Sequence, residues 1–240
     1  MLKAGIVTPS TSLWASPLVL VRKKDGTLRI CVDYRKLNQI TKKDAHPLPR
    51  TDAQSETLSG SKYFTKLGFS CGYHQVEVAQ AHQEKTAFPA PFALFEYKVM
   101  PFGVLNAPAT FQRLMSLVFC GFLGSTCLPY LDDIIIFSKT FVDHLAKLEV
   151  FQRIQQAELK LKLEKCDFCM SQVNFLGHVI SEQGIATDPE KIMKISNWPR
   201  PKNIAEMRSF LGYATYYRKF IRGFATVAAP LNKLLQKGEA

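Results

Sequence analysis

The chain lacks any long apolar run. No hydrophobic segment approaches the about 20 residues that a membrane-spanning helix needs, and the N-terminal stretch MLKAGIVTPS lacks the charged, apolar and small-residue layout of a secretory signal. We therefore expect a soluble globular protein with no membrane contact, located inside the cell.

The chain also lacks a cysteine framework. Its 6 cysteines are irregularly spaced, and only Cys166 and Cys169 form a C-x-x-C pair, with no second pair to complete a zinc site. Reduced thiols are therefore expected, and both a disulfide scaffold and a structural zinc site are disfavoured.

Acidic residues are scarce at the two ends of the chain. The net charge is +11, with ten Lys and Arg against three Asp in residues 1–50 and ten against two Glu in residues 191–240. The middle is slightly acidic. A charge excess segregated in this way favours a polyanionic partner such as nucleic acid over a merely solvated surface.

The 240 residues, 47% of them hydrophobic, are enough for one large core or two small ones. Strand and helix patterns are mixed along most of the chain, and only helical patterns follow. Pro189, Pro199 and Pro201 coincide with this change, which places an internal boundary near residues 185–205.

Several local patterns are specific enough to predict elements. Residues 16–38 predict a β-hairpin whose turn contains Asp-Gly, and residues 173–185 predict another. Residues 106–119 predict a helix with Asn106 as its N-cap, and residues 140–161 repeat apolar residues at helical spacing.

Two adjacent carboxylates interrupt the stretch CLPYLDDIIIFSKT. Asp132 and Asp133 lie at a predicted tight turn between two strands, where each raises the cost of ionising the other unless a cation neutralises them. Magnesium is the natural partner, because it binds a few carboxylates together with phosphate oxygens and water. Taken alone, however, such a pair is more simply ordinary turn chemistry.

Six stretches in a fixed order change that balance: WASPLVLVRKKDGTLRICVDYRKLN, KTAF, MPFGVLNAPATFQRLM, YLDDIIIFSKT, FLGHVISEQGI and RSFLGYATYYRKFI. With them the chain resembles, over nearly all its length, the reverse transcriptase of gypsy-type LTR retrotransposon Pol polyproteins. The resemblance implies an α+β right-hand polymerase fold, with fingers, a palm built on an antiparallel sheet, and a thumb. The chain begins inside a helix of the family pattern, so an N-terminally truncated domain is expected.

The resemblance also implies an RNA-directed DNA polymerase that transfers nucleotides by a two-metal mechanism with Mg2+, or with Mn2+ in its place. Its partners would be an RNA or DNA template-primer and deoxynucleoside triphosphates, and the oligomeric state is left open. The implied location is the cytoplasm, retroelement particles or the nucleus.

Roles for individual residues follow from the same resemblance. The implied metal-binding and catalytic residues are Asp132 and Asp133, and the implied nucleotide-binding residues are Lys23, Arg29, Tyr73, Phe102 and Gly103. The implied template and primer contacts are Gln112, Phe175, Leu176 and Gly177. The positive charge of the first hairpin independently favours a triphosphate contact for Lys23 and Arg29.

One expected carboxylate is missing. Where the family carries its other metal-binding Asp, before the Gly-Tyr-His-Gln stretch, this chain has Gly68, and no Asp or Glu lies between Glu56 and Glu77. Metal catalysis contributes several kcal/mol and each ~1.4 kcal/mol is tenfold in rate, so we expect a loss on the order of a thousandfold. This copy is therefore predicted to be inactive or severely impaired.

Two further expectations concern organisation. Residues 1–185 are expected to form fingers, palm and primer-grip hairpin, and residues 186–240 a helical thumb that ends before any ribonuclease H domain. Pro129 is expected to disturb a central palm strand, because proline removes a ladder donor. Two alternatives stay open: an active polymerase domain of a retroelement polyprotein, and a catalytically silent nucleic-acid-binding protein.

Overall fold

The computed structural model of the chain describes residues 1–22, 26, 28–49 and 57–235. Its strands are β1 (Val7–Pro9), β2 (Leu18–Arg22), β3 (Leu28–Val32), β4 (Tyr63–Gly68), β5 (Phe88–Ala90), β6 (Ala93–Tyr97), β7 (Cys127–Tyr130), β8 (Asp133–Ser138), β9 (Asp167–Met170), β10 (Gln172–Phe175), β11 (His178–Ser181) and β12 (Gly184–Thr187). Its helices are α1 (Arg35–Ile40), α2 (Gln80–Gln83), α3 (Ala107–Val118), α4 (Phe141–Lys147), α5 (Val150–Gln156), α6 (Pro189–Ser196), α7 (Ile204–Tyr216) and α8 (Phe224–Lys233). Short 3-10 turns lie at Gly72–Gln75, Glu84–Thr86, Leu163–Lys165 and Arg218–Phe220.

The strands form four antiparallel groups. A central four-stranded sheet has the order β7-β8-β4-β9, and two three-stranded sheets have the orders β1-β6-β5 and β10-β11-β12. β2 and β3 pair as the predicted hairpin, while residues 173–185 contribute to two successive hairpins rather than one. The expected α+β class with antiparallel sheets is therefore confirmed. The division at residue 185 into two units stays a prediction, although every described element beyond Thr187 is helical.

The central sheet is covered on both faces. Successive residues of a strand point to opposite faces, so Ile134 packs with Phe111 of α3 in one core cluster, while Ile135 packs with Phe175 of β10 in the other. Strands buried on both faces read as continuous apolar runs rather than alternating ones. This burial explains the run of isoleucines that follows the two aspartates.

The expectation for Pro129 was wrong. β7, which contains Pro129, is an edge strand of the central sheet, next to β8, with Pro129 opposite Ile134. Edge strands tolerate proline because one side of the strand has no ladder partner to lose. The residue is therefore compatible with an intact sheet.

The helical pattern of residues 140–161 divides into two helices, α4 and α5. His144 and Val150 are both fully buried, yet residues six apart point about 120° apart on a straight helix. A break between them lets both side chains face the core.

Asn106 precedes α3 as expected, but its side chain does not cap the helix. Its amide instead donates to Lys42 O at 2.9 Å and accepts from the Asp44 N–H at 3.0 Å. The side chain therefore ties the segment after α1 to the start of α3, which is a long-range task that local capping patterns do not predict.

His144 links three elements inside the core. Its Nε2 lies 2.7 Å from the Thr65 hydroxyl of β4, and its Nδ1 lies 3.0 Å from the Ser138 hydroxyl of β8. Ser138 donates to Thr140 O at 3.0 Å, so the Ser138 oxygen accepts from the Nδ1–H of the imidazole. Burial, followed by the charge of Lys147, lowers the pKa of His144.

This lowered pKa predicts a loss of stability in acid. Below the unfolded-state pKa of about 6.5 the unfolded chain binds more protons than the folded one, so the free energy of unfolding falls as pH decreases. We expect the melting temperature to drop between pH 7.5 and pH 5.5, and to drop less in His144→Gln. The exposed His82 gives the control, since His82→Gln should behave as the parent does. Parallel curves for His144→Gln and the parent would contradict this assignment.

Candidate nucleotidyl-transfer site

The two aspartates lie at the end of the β7–β8 hairpin. Tyr130 pairs with Asp133, so the turn consists of Leu131 and Asp132, and Asp133 begins β8. Leu131 has a φ of 51°, a left-handed backbone conformation that costs free energy for a residue with a side chain. The turn therefore stores backbone strain at Leu131. The hairpin therefore holds both carboxylates on a tight and strained corner.

The pairing of β4 with β8 brings Gly68 to the same place. Gly68, the last residue of β4, lies opposite Asp133, and the next residue, Phe69, donates its N–H to Asp132 O at 3.1 Å. The three positions that the sequence assigns to one metal centre are thus adjacent. At residue 68, however, the chain offers only backbone.

The side chain of Gln112, in α3, holds the turn of the β7–β8 hairpin in place. The side chain is 2% exposed, accepts from the Leu131 N–H at 3.0 Å and donates to Pro129 O at 3.4 Å. Its amide is thereby engaged with the strand and turn that carry Asp132. The template contact expected for Gln112 stays a prediction, and the structure gives this residue a positioning task that sequence reasoning missed.

Gly72 leaves room for Asp132. A Cβ atom on residue 72 would lie 2.5 Å from Asp132 Oδ1 and 2.9 Å from the Phe111 ring, so no larger residue fits without displacing the carboxylate or the core. Gly72 itself opens the 3-10 turn that follows β4. The first turn after the strand is therefore shaped around the aspartate.

Asp132 is half-buried, and one of its carboxylate oxygens is buried without a hydrogen-bond partner. Its Oδ1 atom accepts no hydrogen bond in the described part of the protein. Burial raises the pKa of Asp132, the charge of Asp133 raises it further, and Lys165 acts in the opposite direction. An anion kept in this state is destabilising unless a cation or a donor reaches it.

The two carboxylates of the hairpin fit one cation and do not fit two. The unpartnered oxygen of Asp132 and the neighbouring Asp133 are the hard oxygen ligands that Mg2+ prefers, and a cation held there would stabilise charge on a bound phosphate. No cluster of three or more His, Cys, Asp or Glu suited to a metal ion occurs among the residues that the structure describes. The third carboxylate of a two-ion site is absent because residue 68 is glycine.

A cavity of about 610 Å³ opens in front of Asp132. Phe102 and Gly103, both expected near a nucleotide, line it together with Asp132, Lys165 and residues 30–32 of β3. Gly103 has a φ of 94°, which favours glycine, and its carbonyl accepts from Asn38 Nδ2 at 2.8 Å. The structure thus brings these two residues and the aspartate hairpin to one cavity.

Tyr73 packs beside this cavity. Its ring centroid lies 5.1 Å from that of Phe102 and 5.5 Å from that of Phe111. Burial, aided by the charge of Asp132, raises the pKa of Tyr73 to about 12, so the phenol stays protonated at neutral pH. Tyr73 is therefore a neutral aromatic residue that packs against Phe102 close to the hairpin.

Two of the expected nucleotide contacts cannot be placed. Lys23 lies outside the described residues. The backbone of Arg29 is described and pairs with Val21 in the β2–β3 hairpin, while its side chain is outside the described part. Their triphosphate contacts stay predictions.

The expected primer-grip residues form the tip of the β10–β11 hairpin. Phe175 pairs with His178, which leaves Leu176 and Gly177 as the turn, with φ values of 51° and 74°. Phe175 is buried in the core cluster that also contains Leu128 and Ile135 of β7 and β8. One packed cluster therefore joins this hairpin to the aspartate hairpin.

Helix α7 and the residue after it hold the same tip. The Tyr216 hydroxyl donates to Leu176 O at 2.5 Å, and the hydroxyl of the following residue, Tyr217, donates to Gly177 O at 3.3 Å. The Tyr216 ring also stacks on His178, with an interplanar angle of 11°. Sequence reasoning missed this pair, since nothing local in residues 216–217 indicates contact with residues 40 positions earlier.

The architecture is that of a nucleic-acid polymerase, and the family comparison agrees. Residues 21–180 match the family model described as reverse transcriptase (RNA-dependent DNA polymerase), so the chain belongs to the reverse transcriptase family. The expected relation to retrotransposon Pol polyproteins is confirmed by two curated relatives. The chain is 42% identical over 243 residues to the retrovirus-related Pol polyprotein from transposon 297 of Drosophila melanogaster, and 40% identical over 237 residues to the transposon Tf2-3 polyprotein of Schizosaccharomyces pombe.

The matches cover 99% and 98% of this chain, but 23% and 18% of the two polyproteins. The chain therefore spans less than a quarter of the length of these relatives.

No helix in the described part of the chain is long and apolar enough to cross a membrane.

Solved structures support the same fold. A foamy viral protease-reverse transcriptase in complex with double-stranded DNA superposes with a TM-score of 0.90 and 28% identity, covering 98% of this chain and 41% of that one. The foamy viral protease-reverse transcriptase in complex with an RNA/DNA hybrid gives a TM-score of 0.88 and 28% identity, covering 100% and 32%.

Gln112 gives a testable consequence of the hairpin geometry. Replacing it by alanine leaves a buried backbone N–H without its acceptor and opens a cavity beneath the turn, so Gln112→Ala should lower the free energy of unfolding by about 2–4 kcal/mol. Urea unfolding followed by circular dichroism measures the change. The exposed Gln155 of α5 provides the matched control, since Gln155→Ala should stay within about 0.5 kcal/mol of the parent. Equal effects of the two substitutions would contradict a clamping role.

Proposed function

We propose that this chain is a reverse transcriptase domain that binds template-primer but transfers nucleotides slowly or not at all. Residues 1–185 would act as fingers, palm and primer grip, and residues 186–240 as thumb, inside the cell. The observation that carries the proposal is the β4–β8 register, because it sets Gly68 opposite Asp133 where a metal-binding carboxylate is needed.

The slow nucleotide transfer follows from the number of carboxylates that can bind metal ions. Asp132 and Asp133 supply the carboxylates at the hairpin, and the residues next to Gly68 in the strand and turn supply none. Two ions at such a site would normally share a bridging carboxylate, and backbone carbonyl oxygens carry too little charge to replace it. What this chain keeps is the shape of the site: a positioned hairpin, and an open cavity whose Phe102 wall packs on Tyr73.

Template-primer binding is supported from two sides. The net charge of +11 is concentrated in the two terminal segments, which would attract a polyanion. The foamy viral relatives with high TM-scores are described in complex with double-stranded DNA and with an RNA/DNA hybrid. The tip formed by Leu176 and Gly177, braced by α7, would contact the primer end, and Gln112 would act on the template side through the hairpin it holds.

Nucleotide binding is the finer part of the proposal. Phe102 and Gly103 line the cavity beside Asp132, and Tyr73 stands next to Phe102. A deoxynucleoside triphosphate there would reach Lys23 and Arg29 from the β2–β3 hairpin, whose neighbouring residues 30–32 form another wall of the cavity. A single Mg2+ or Mn2+ on the aspartates would assist binding of the triphosphate.

Two experiments on the unaltered chain test both halves of the proposal. Fluorescence anisotropy with a labelled RNA-DNA primer-template should show binding that weakens at least about tenfold between 50 and 200 mM salt, because bound phosphates release counterions. Primer extension with Mg2+ or Mn2+ should stay far below the about 1 s⁻¹ or faster that is usual for enzymes.

Asp132→Asn serves as the control for the binding measurement. It should bind primer-template as the parent does in the absence of divalent ions, since the carboxylate is not a phosphate-binding group. Rapid extension by the unaltered chain would overturn the impairment, and a protein that folds but does not bind would overturn the assignment of function.

A further inference from the structure

We infer that Lys165 occupies the space of the missing carboxylate, because its side chain fills the volume beside residue 68. Its positive charge stabilises the Asp132 carboxylate, which a divalent cation would otherwise do. Lysine and metal ion then compete for one carboxylate. The inference rests on the proposed role of Asp132, and it can be tested without any nucleic acid.

The steric observation comes first. A Cβ atom on residue 68 would lie 2.6 Å from Lys165 Cβ, 3.1 Å from Lys165 Cδ and 3.2 Å from Lys165 O. Real side chains do not approach so closely, so the volume that a larger residue 68 would need is occupied by the stem of the lysine. The nearest atom is a Cβ, which moves only if the backbone moves.

That backbone is held in place. The Lys162 N–H donates to Gly68 O at 2.9 Å, and the Lys165 N–H donates to Lys162 O at 2.9 Å, which closes the 3-10 turn Leu163–Lys165 against the end of β4. Leu161 also pairs with Phe69 as an isolated β-bridge. The position of Lys165 over Gly68 is therefore set by main-chain hydrogen bonds, and a chance rotamer of an exposed lysine does not explain it.

The charge is directed at the site. Lys165 Nζ donates to Phe69 O at 3.2 Å, and Phe69 in turn donates its N–H to Asp132 O at 3.1 Å. Lys165 and Asp132 line the same cavity of about 610 Å³. The ammonium group on the wall of this cavity therefore favours the charged form of the Asp132 carboxylate through space.

The steric half is tested by a double-mutant cycle. Gly68→Ala should lower the melting temperature by about 5 °C in the parent, because the new methyl group meets Lys165, and should lower it less than half as much in a Lys165→Gly background. Lys162→Gly is the matched control, and in that background Gly68→Ala should cost as much as in the parent. Equal costs in the Lys165→Gly and Lys162→Gly backgrounds would overturn the shared space.

The electrostatic half is tested by metal binding to the free protein. Mn2+ affinity, measured by electron paramagnetic resonance of the unbound ion, should increase about tenfold in Lys165→Met, which keeps the length of the side chain and removes its charge. Lys162→Met should leave the affinity unchanged, and Asp132→Asn should abolish the site. Equal affinities for Lys165→Met and Lys162→Met, or no Mn2+ binding by Lys165→Met, would overturn the competition, whatever the result with primer-template.

Discussion

The antiparallel pairing of β4 with β8 is the constraint on which the whole site depends. It sets residue 68 opposite Asp133 and brings Phe69 into contact with the Asp132 backbone. The register cannot slip by one residue, because both faces of these strands are buried and a slip would exchange their side chains between two packed clusters. Whatever residue stands at position 68 is therefore part of the site, and here that residue is glycine.

The environment of Asp132 lowers the stability of the folded protein. Its carboxylate is half-buried, has one buried oxygen without a hydrogen-bond partner and faces the charge of Asp133, all of which disfavour the folded state. Gln112 and Gly72 nevertheless hold the turn and leave room for the carboxylate. Such a costly arrangement is typical of a functional site, and it persists here beside a position that has lost its charge.

The loss at position 68 and the placement of Lys165 belong together. A glycine opens space at the end of β4, and the turn Leu163–Lys165, bonded to that same strand end, lies over it. The cavity in front of the hairpin thus carries a permanent positive charge from the protein itself. That charge suits the binding of a polyanion and opposes the binding of a divalent cation at Asp132.

Local sequence patterns were sufficient to predict much of the fold and of the candidate site. Strand alternation and Asp-Gly located the hairpins, the ordered motifs indicated the family, and the missing acidic residue between Glu56 and Glu77 was visible in the sequence. Contacts between distant residues were not predictable in this way. Lys165 meets Gly68 across 97 positions, Gln112 holds a turn 19 residues away, and the edge position of β7 depends on the sheet order, which no local pattern of β7 encodes.

The most direct test of the central claim is the rate of single-nucleotide incorporation into a bound primer-template by Lys165→Gly alone and by Lys165→Gly combined with Gly68→Asp or with Gly68→Asn. The Lys165→Gly background removes the side chain that occupies the space beside residue 68, and of the two added residues only the aspartate supplies a charged metal ligand. The account predicts that the combination with Gly68→Asp is faster than both other proteins, on the order of a thousandfold, with Mg2+ as the ion. Equal rates for Lys165→Gly alone and its combination with Gly68→Asp, or equal rates for the two combinations, would contradict it.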